Sequence, residues 1–155
     1  MICWLSENVI VIITLVGSII GGIIALIKWN QSIKVRHAEF INQIHEKLRY
    51  DEKFVKTMNL IDYGKFVWPF NSEEEEITTD ALLALLNYIC YLYEIKIITR
   101  KELDIFEYKL IRTFNNSIIK EYFNFLLNFS KENNTICSFK YLIDYGIKTK
   151  RFFPK

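Results

Sequence analysis

The stretch Val9-Ile-Val-Ile-Ile-Thr-Leu-Val-Gly-Ser-Ile-Ile-Gly-Gly-Ile-Ile-Ala-Leu-Ile27 contains nineteen residues and no charge. At about 1.5 Å of rise per residue, a helix of this length measures roughly 28 Å, close to the thickness of a bilayer's hydrocarbon core. Only Thr14 and Ser18 interrupt its apolar surface, whereas a core helix of a small soluble domain would show a polar face at 3.6-residue spacing. The stretch therefore predicts a transmembrane helix.

The charges around this stretch are distributed asymmetrically. Glu7 is the single charged side chain before it, and all 20 Lys and Arg residues follow it, starting with Lys28. Because a basic N-terminal region and a small-x-small cleavage site are both missing, the stretch does not fit a signal peptide. Trp4 and Trp29 flank it, where amphipathic rings favour the membrane interface. The positive-inside rule predicts a single-pass protein of the inner (plasma) membrane, with its N-terminus outside and its C-terminal domain cytoplasmic.

Small residues recur on one face of the predicted span. Gly17 and Gly21 are four residues apart, and Ser18 and Gly22 form a second such pair one residue further on. Pairs of this kind let a second helix backbone approach closely, which is one way that spans associate in lipid. Small residues are also common in spans that do not associate. Two interpretations stay open: a homo-oligomer formed through this face, and a monomeric anchor.

The chain after the span has the composition of one folded domain. Hydrophobic residues make up 51% of the sequence, which includes 12 Phe and 9 Tyr, unlike a disordered segment. After the span, 20 basic residues stand against 17 of the 18 acidic ones, an excess too small to predict nucleic acid as a partner. We predict an external N-terminus at 1–8, a transmembrane helix at 9–28, a cytosolic helical domain at 29–147 and a basic tail at 148–155.

Apolar periodicity and capping residues predict helices throughout this domain, and no alternating run predicts a strand. The span is expected to continue as a helix to about Leu48. The next helix is capped by Asp51 and stopped by Gly64, and a later one opens with the capping box formed by Thr99 and Glu102. The helices expected after the first cover residues 51–63, 80–97, 99–114, 117–129 and 138–145. The fold class is all-α, with one N-terminal transmembrane helix continuing into a compact cytosolic bundle of about five or six helices.

One long loop is expected after Gly64. Its aromatic part, Phe66 to Phe70, contains Pro69, which excludes a continuing helix, and it is expected to pack back on the core. Its second part, Glu73 to Glu76, consists of four consecutive acids. We expect these acids to be a solvated segment that precedes the next helix, with a site for a metal or a basic partner as the alternative.

A pentapeptide occurs twice in this domain, as Leu60-Ile-Asp-Tyr-Gly64 and as Leu142-Ile-Asp-Tyr-Gly146. The residues around the two copies do not match, so the pattern does not indicate a structural repeat. Both copies are predicted to be helix ends at which glycine takes a positive φ.

The tail contains Lys148, Lys150 and Arg151, followed by Phe152 and Phe153. In one interpretation these basic residues lie at the membrane surface and both Phe side chains enter the lipid interface. In the other, the Phe side chains dock the tail on the domain. The full set predicted to be basic at the membrane surface is Lys28, Lys34, Arg36, Lys148, Lys150 and Arg151.

Motifs of known catalytic or metal chemistry are missing from the sequence. There is no glycine-rich phosphate loop, no nucleophile elbow and no cysteine pair at zinc spacing. His37 and His45 are eight residues apart, which is a poor spacing for a shared metal on a helix. Cys90 and Cys137 have apolar neighbours and are predicted to be free, buried thiols. We therefore expect no enzyme activity, no cofactor and no metal.

Several loose motifs occur in a particular order along the chain. They are the single span, Arg36-His37-Ala38-Glu39-Phe40, Leu60-Ile-Asp-Tyr-Gly64 with Trp68 nearby, and Leu92-Tyr-Glu94 ahead of an acid-capped helix. In this order the chain resembles an uncharacterised family of small bacterial single-span membrane proteins with a helical cytosolic domain. The resemblance covers the chain from the span to about Phe129. It implies the architecture and no functional residue.

Two functions from different classes fit these observations. The first is a membrane-tethered helical interaction or signalling module that faces the cytoplasm and binds an unknown cytosolic protein. The second is an oligomerising membrane effector of a bacterial stress or phage-defence system, triggered through its cytosolic domain. For the first, the possible partner surface consists of Phe66, Trp68, Phe70, Tyr88, Tyr91 and Tyr93.

Overall fold

The structure is a computed structural model that describes the backbone of residues 2–154 and the side chains of residue 15 and residues 17–154. Within these residues every element of secondary structure is an α-helix, which confirms the all-α prediction. The six helices are α1 (Ile2–Tyr50), α2 (Glu52–Asp62), α3 (Glu73–Glu94), α4 (Arg100–Asn115), α5 (Ser117–Glu132) and α6 (Lys140–Lys148).

The predicted span at 9–27 belongs to α1, but residues 9–14 and 16 lie outside the described side chains. Among the residues that are described, none of the helices has a segment both long and apolar enough to cross a bilayer. As predicted, α1 runs on without a break past Leu48.

The chain divides into two units, residues 1–43 and residues 44–155. The first unit is formed by α1 alone. The second contains the last turns of α1 and all of α2 to α6. In the second unit, α3 packs against α2, α4 and α6 and is the central helix. Its buried face consists of Thr79, Leu82, Leu83, Leu86, Ile89, Cys90 and Leu92.

Side-chain caps form at three helix starts, and the two that were predicted, at Asp51 and at Thr99, are confirmed. The Asp51 carboxylate accepts a hydrogen bond from the backbone N–H of Lys53 at the start of α2. Thr99 and Glu102 form the expected capping box of α4. Asn116 is the single residue between α4 and α5, and its Oδ1 accepts hydrogen bonds from two backbone N–H groups of α5. These caps satisfy donors that a helix start otherwise leaves unpaired.

The predicted start of the central helix was wrong. Ser72 caps α3, and its Oγ accepts a hydrogen bond from the backbone N–H of Glu75. The four acids are exposed, as expected, but they form the first turn of α3 and do not precede it, because carboxylates are favoured next to the positive end of a helix. The predicted end at residue 97 was also too late, since α3 ends at Glu94.

The two copies of the pentapeptide have different structures. Gly64 has a φ of +65° and ends α2, as predicted. Gly146 lies inside α6 and is buried, so the predicted stop of that helix at Gly146 was wrong. The residue with a positive φ after α6 is Lys150, and its backbone N–H bonds to the carbonyl of Ile147. The helix ends two residues later, at Lys148, and Gly146 is buried against the core.

The C-terminal segment is docked on the second unit through one of its two Phe residues. Phe152 is buried, with its ring centroid 5.8 Å from that of Phe123, whereas Phe153 is exposed. The interpretation in which both rings enter lipid is therefore wrong for Phe152. The docked alternative holds for that side chain, because a buried aromatic ring has already lost its contact with solvent.

Candidate partner-binding cleft

The loop between α2 and α3 divides its aromatic residues between the core and the surface. Phe66 is buried, which excludes it from a surface that contacts a partner and corrects that part of the prediction. Trp68 and Phe70 are half-buried and each keeps an accessible edge. The prediction that this segment packs back on the core is confirmed by their contacts with α5, described next.

These loop residues form an aromatic cluster with α5. The Trp68 ring lies 5.8 Å from the Tyr122 ring and 5.3 Å from the Phe125 ring, measured between centroids. Phe70 meets Tyr122 edge to face at 5.4 Å. Phe129 continues the cluster one turn further along α5, with its ring 6.3 Å from that of Phe125. Phe125 and Phe129 are both exposed.

Opposite this cluster lie carboxylates from the start of α3. Glu73, Glu76 and Asp80 are spaced by three and four residues, which places them on one face of the helix. The other two acids of the run have different positions. Glu75 accepts a hydrogen bond from the backbone N–H of Asn71, and Glu74 lines a separate depression beside Lys53 and Lys56.

The loop, the start of α3 and α5 together form an open cleft of about 870 Å³. Its lining consists of Trp68, Pro69, Phe70, Asn71, Ser72, Glu73, Glu76, Asp80, Tyr122, Phe125, Leu126 and Phe129. The lining joins an apolar aromatic surface to three carboxylates and contains no Lys or Arg.

One hydrogen bond ties the two walls of the cleft together. The Tyr122 hydroxyl donates to Asp80 Oδ1 at 2.8 Å. Burial of the ring, followed by the hydrogen bond to Asp80 and the nearby charge of Glu76, raises the pKa of the Tyr122 phenol well above its usual range. Tyr122 is therefore a neutral donor that fixes the orientation of Asp80.

The second part of the predicted partner surface lies on the C-terminal half of α3 and mostly packs on α6. Tyr91 lies 4.9 Å from Tyr141, and Tyr93 meets Tyr145 edge to face at 6.3 Å. Tyr88 is 42% exposed and is the most accessible of the three predicted tyrosines. The predicted face is thus mainly an interhelical contact, and it does not join the cleft.

Two cysteines were predicted to be buried free thiols. Both are free, Cys90 is buried and Cys137 is only half-buried. Burial raises the pKa of the Cys90 thiol to about 12, so it stays protonated and unreactive at neutral pH. No group of three or more His, Cys, Asp or Glu side chains suited to a metal occurs in the described part of the chain.

Two of the predicted membrane-surface basic residues are paired with carboxylates. Arg151 Nη2 donates to Glu107 Oε1 at 3.0 Å, and Lys148 Nζ donates to Glu94 Oε2 at 2.7 Å. The others in the set, Lys28, Lys34, Arg36 and Lys150, are exposed.

The Glu107 carboxylate joins the C-terminal segment to α4. One oxygen accepts hydrogen bonds from Arg151 and from Arg100, and these two bonds hold the pKa of Glu107 below its usual value of about 4.5. A lowered pKa means that the ionised form stabilises the fold. That contribution is complete above the unfolded pKa and is lost as the pH falls through the folded one.

Replacing Glu107 by Gln is therefore expected to lower the free energy of unfolding by roughly 1 kcal/mol at pH 7. The difference from the unsubstituted chain should shrink below about pH 4.5. Urea titrations across this pH range measure it, with Glu121→Gln on the exposed side of α5 as the control. A deficit that is the same at every pH would contradict the role of the charge.

The glycine face of α1 was proposed as a contact between copies. At Gly17, Gly21 and Gly22, an added Cβ would meet no described atom within 4 Å apart from the adjacent residues and the backbone of its own helix. Ser18 is exposed on the same helix. The face is thus sterically open in the single chain, and its role in self-association stays a prediction.

Most of the cleft was missed at the sequence level. Trp68 and Phe70 were predicted as contact residues, but Tyr122, Phe125 and Phe129 were not. A signal did exist, because Phe125 and Phe129 are one turn apart and Phe125 lies off the apolar stripe that the periodicity of α5 requires.

Comparison with models of protein families, with curated proteins and with solved structures found no match to this chain.

Proposed function

We propose that this protein is a membrane-tethered interaction module whose helical domain faces the cytoplasm and binds a partner protein in the aromatic and acidic cleft. The cleft is the observation that supports this proposal, since it joins exposed aromatic rings to a row of carboxylates. The proposal assigns no catalytic step, cofactor or nucleic acid to the domain.

The exposed rings favour a partner at this position. Phe125 and Phe129 are 47% and 51% exposed, although both belong to a continuous aromatic cluster. Covering each half-exposed Phe would contribute on the order of 1–2 kcal/mol at about 25 cal/mol per Å². Aromatic residues, Phe among them, are enriched at protein interfaces relative to the rest of the surface.

The tether is supported by the uncharged stretch at 9–27 and by the asymmetry of charge around it. Large aliphatic side chains of α1 are also at least 50% exposed. They are Leu15, Ile19, Ile20, Ile23, Ile24, Leu26 and Ile27. An apolar surface of this extent on successive helical turns requires lipid or protein to cover it.

Site-specific crosslinking in the native host tests both parts of the proposal. A photoreactive phenylalanine analogue is placed at Phe125 in the full-length chain, or at Ile105 of α4 as a control. Ile105 is 49% exposed and does not line the cleft. We expect a discrete adduct from position 125, recovered with the membrane fraction, and none from position 105, because only the first faces the cleft.

Two outcomes would contradict the proposal. If positions 105 and 125 crosslink to the same proteins, or to none, the cleft is not the binding surface. If the full-length chain is recovered outside the membrane fraction, the tether is wrong.

A further inference from the structure

We infer that the occupant of the cleft is a basic amphipathic helix of the partner protein, with apolar residues on the aromatic cluster and Lys or Arg residues opposite the carboxylates. This inference rests on the proposed function and adds the chemistry of the partner.

Charge complementarity is the first argument. Glu73, Glu76 and Asp80 form a row that extends for seven residues, or about 10 Å, along α3. No Lys or Arg lines the cleft to neutralise this row. The hydrogen bond from Tyr122 holds Asp80 in place before anything binds. A partner with basic residues on successive helical turns would meet the row, and one with acidic residues would be repelled.

The aromatic wall supplies the second argument. Phe125 and Phe129 are four residues apart on α5, so their exposed rings follow one another along the cleft. Trp68 contacts Phe125 and extends this apolar surface towards the loop. Aliphatic side chains at spacings of three and four residues would cover these rings, and the ring faces also attract cationic groups.

The backbone of the partner also favours a helix over an extended peptide. An extended peptide usually binds by adding a strand to a sheet edge, which satisfies its backbone hydrogen bonds. Residues 2–154 of this chain contain no strand to offer such an edge. A helix satisfies its own backbone hydrogen bonds and needs only a groove for its side chains. At about 870 Å³, the cleft has room for several side chains and far exceeds the needs of a single ion.

The test measures binding of a fluorescent synthetic peptide to the full-length chain in non-ionic detergent. The peptide is built from Leu and Lys in an amphipathic helical pattern. A second peptide carries Glu in place of every Lys, and a third has the first peptide's composition without the pattern. We expect the first peptide to bind at least tenfold more tightly than the other two.

Two matched variants assign this binding to the cleft. Glu73→Gln/Glu76→Gln removes two cleft charges and is expected to weaken binding roughly tenfold. Glu74→Gln/Glu121→Gln removes the same charge from surfaces outside the cleft and should leave affinity unchanged. Circular dichroism confirms that each variant is folded.

The outcomes separate the inference from the proposed function. The inference of a basic helix would be overturned by equal affinity for the Lys and Glu peptides. It would also be overturned if both double variants lost affinity for the Lys peptide equally. If crosslinking at position 125 still captures a partner in that case, the cleft binds a protein of different chemistry and only the inference fails. If the Lys peptide binds in the cleft but crosslinking captures no partner, the proposed function fails. The preference of the cleft for a basic helix is then still supported.

Discussion

Replacing Phe123 by Ala is expected to lower the free energy of unfolding by about 3–5 kcal/mol. The side chain is fully buried, and its ring lies near three others that belong to different elements. Their centroids are 6.2 Å away for Phe114 of α4, 6.5 Å away for Phe139 before α6 and 5.8 Å away for Phe152 of the C-terminal segment. The substitution removes the ring that these elements share and leaves a cavity that they cannot readily fill.

Urea unfolding of the full-length chain measures this loss, provided that the slope against urea concentration is unchanged. Phe129→Ala is the matched control, because it makes the same change on the same helix at a residue that is half exposed. This control substitution should lower the free energy of unfolding by no more than about 1 kcal/mol. Equal losses for the two variants would show that Phe123 does not have the central role that its burial indicates.

Gly146→Ala is expected to lower the free energy of unfolding by about 1–3 kcal/mol, although Ala is normally the better helix former. A Cβ at this position would lie 2.4 Å from one edge carbon of the Phe114 ring and 2.8 Å from the next. Phe114 is itself fully buried, and its ring lies beside the tilted rings of Phe123 and Tyr145. It therefore cannot move aside freely. The close approach of the Phe114 ring to the backbone of α6 therefore requires glycine.

A double-mutant cycle tests this cause. Phe114→Leu, which shortens the opposing side chain, should destabilise the unsubstituted protein but reduce the cost of Gly146→Ala. Gly64→Ala provides a contrast, because the added methyl would meet nothing within 4 Å and only the φ of +65° would be strained. Its cost should not depend on residue 114. Strict additivity of Gly146→Ala and Phe114→Leu would rule out the steric explanation.

Features that depend on neighbouring residues were predictable from the sequence. The caps at Asp51 and Asn116, the capping box at Thr99 and the stop at Gly64 use side chains and dihedral angles within a few residues. The start of α3 was within reach by the same logic, since Ser72 and Glu75 have capping-box spacing. Four consecutive carboxylates repel one another in a helix, which favours a segment outside it, but the Ser72 cap and the positive end of the helix outweigh that repulsion.

Features set by distant residues were not predictable in this way. The two identical pentapeptides have the same local preferences, yet only Gly64 ends a helix. What distinguishes Gly146 is the Phe114 ring, 32 positions earlier in the sequence, which periodicity cannot reveal. The cleft is similar, because its lining comes from a loop, the start of α3 and one side of α5. Each segment shows its apolar or acidic character, but only the tertiary fold, with its hydrogen bond from Tyr122 to Asp80, brings them together.

The junction at Asn116 restricts how the length of this chain can change. One residue both ends α4 and caps α5, and its Nδ2 also donates to the carbonyl of Ile61 in α2. One inserted residue would rotate α5 by about 100° around its axis, since a turn contains 3.6 residues. That rotation would move Phe123 out of the core and Phe125 away from Trp68. Insertions should therefore be tolerated in the exposed turn at residues 133–136, whereas the register between α4 and α5 is fixed.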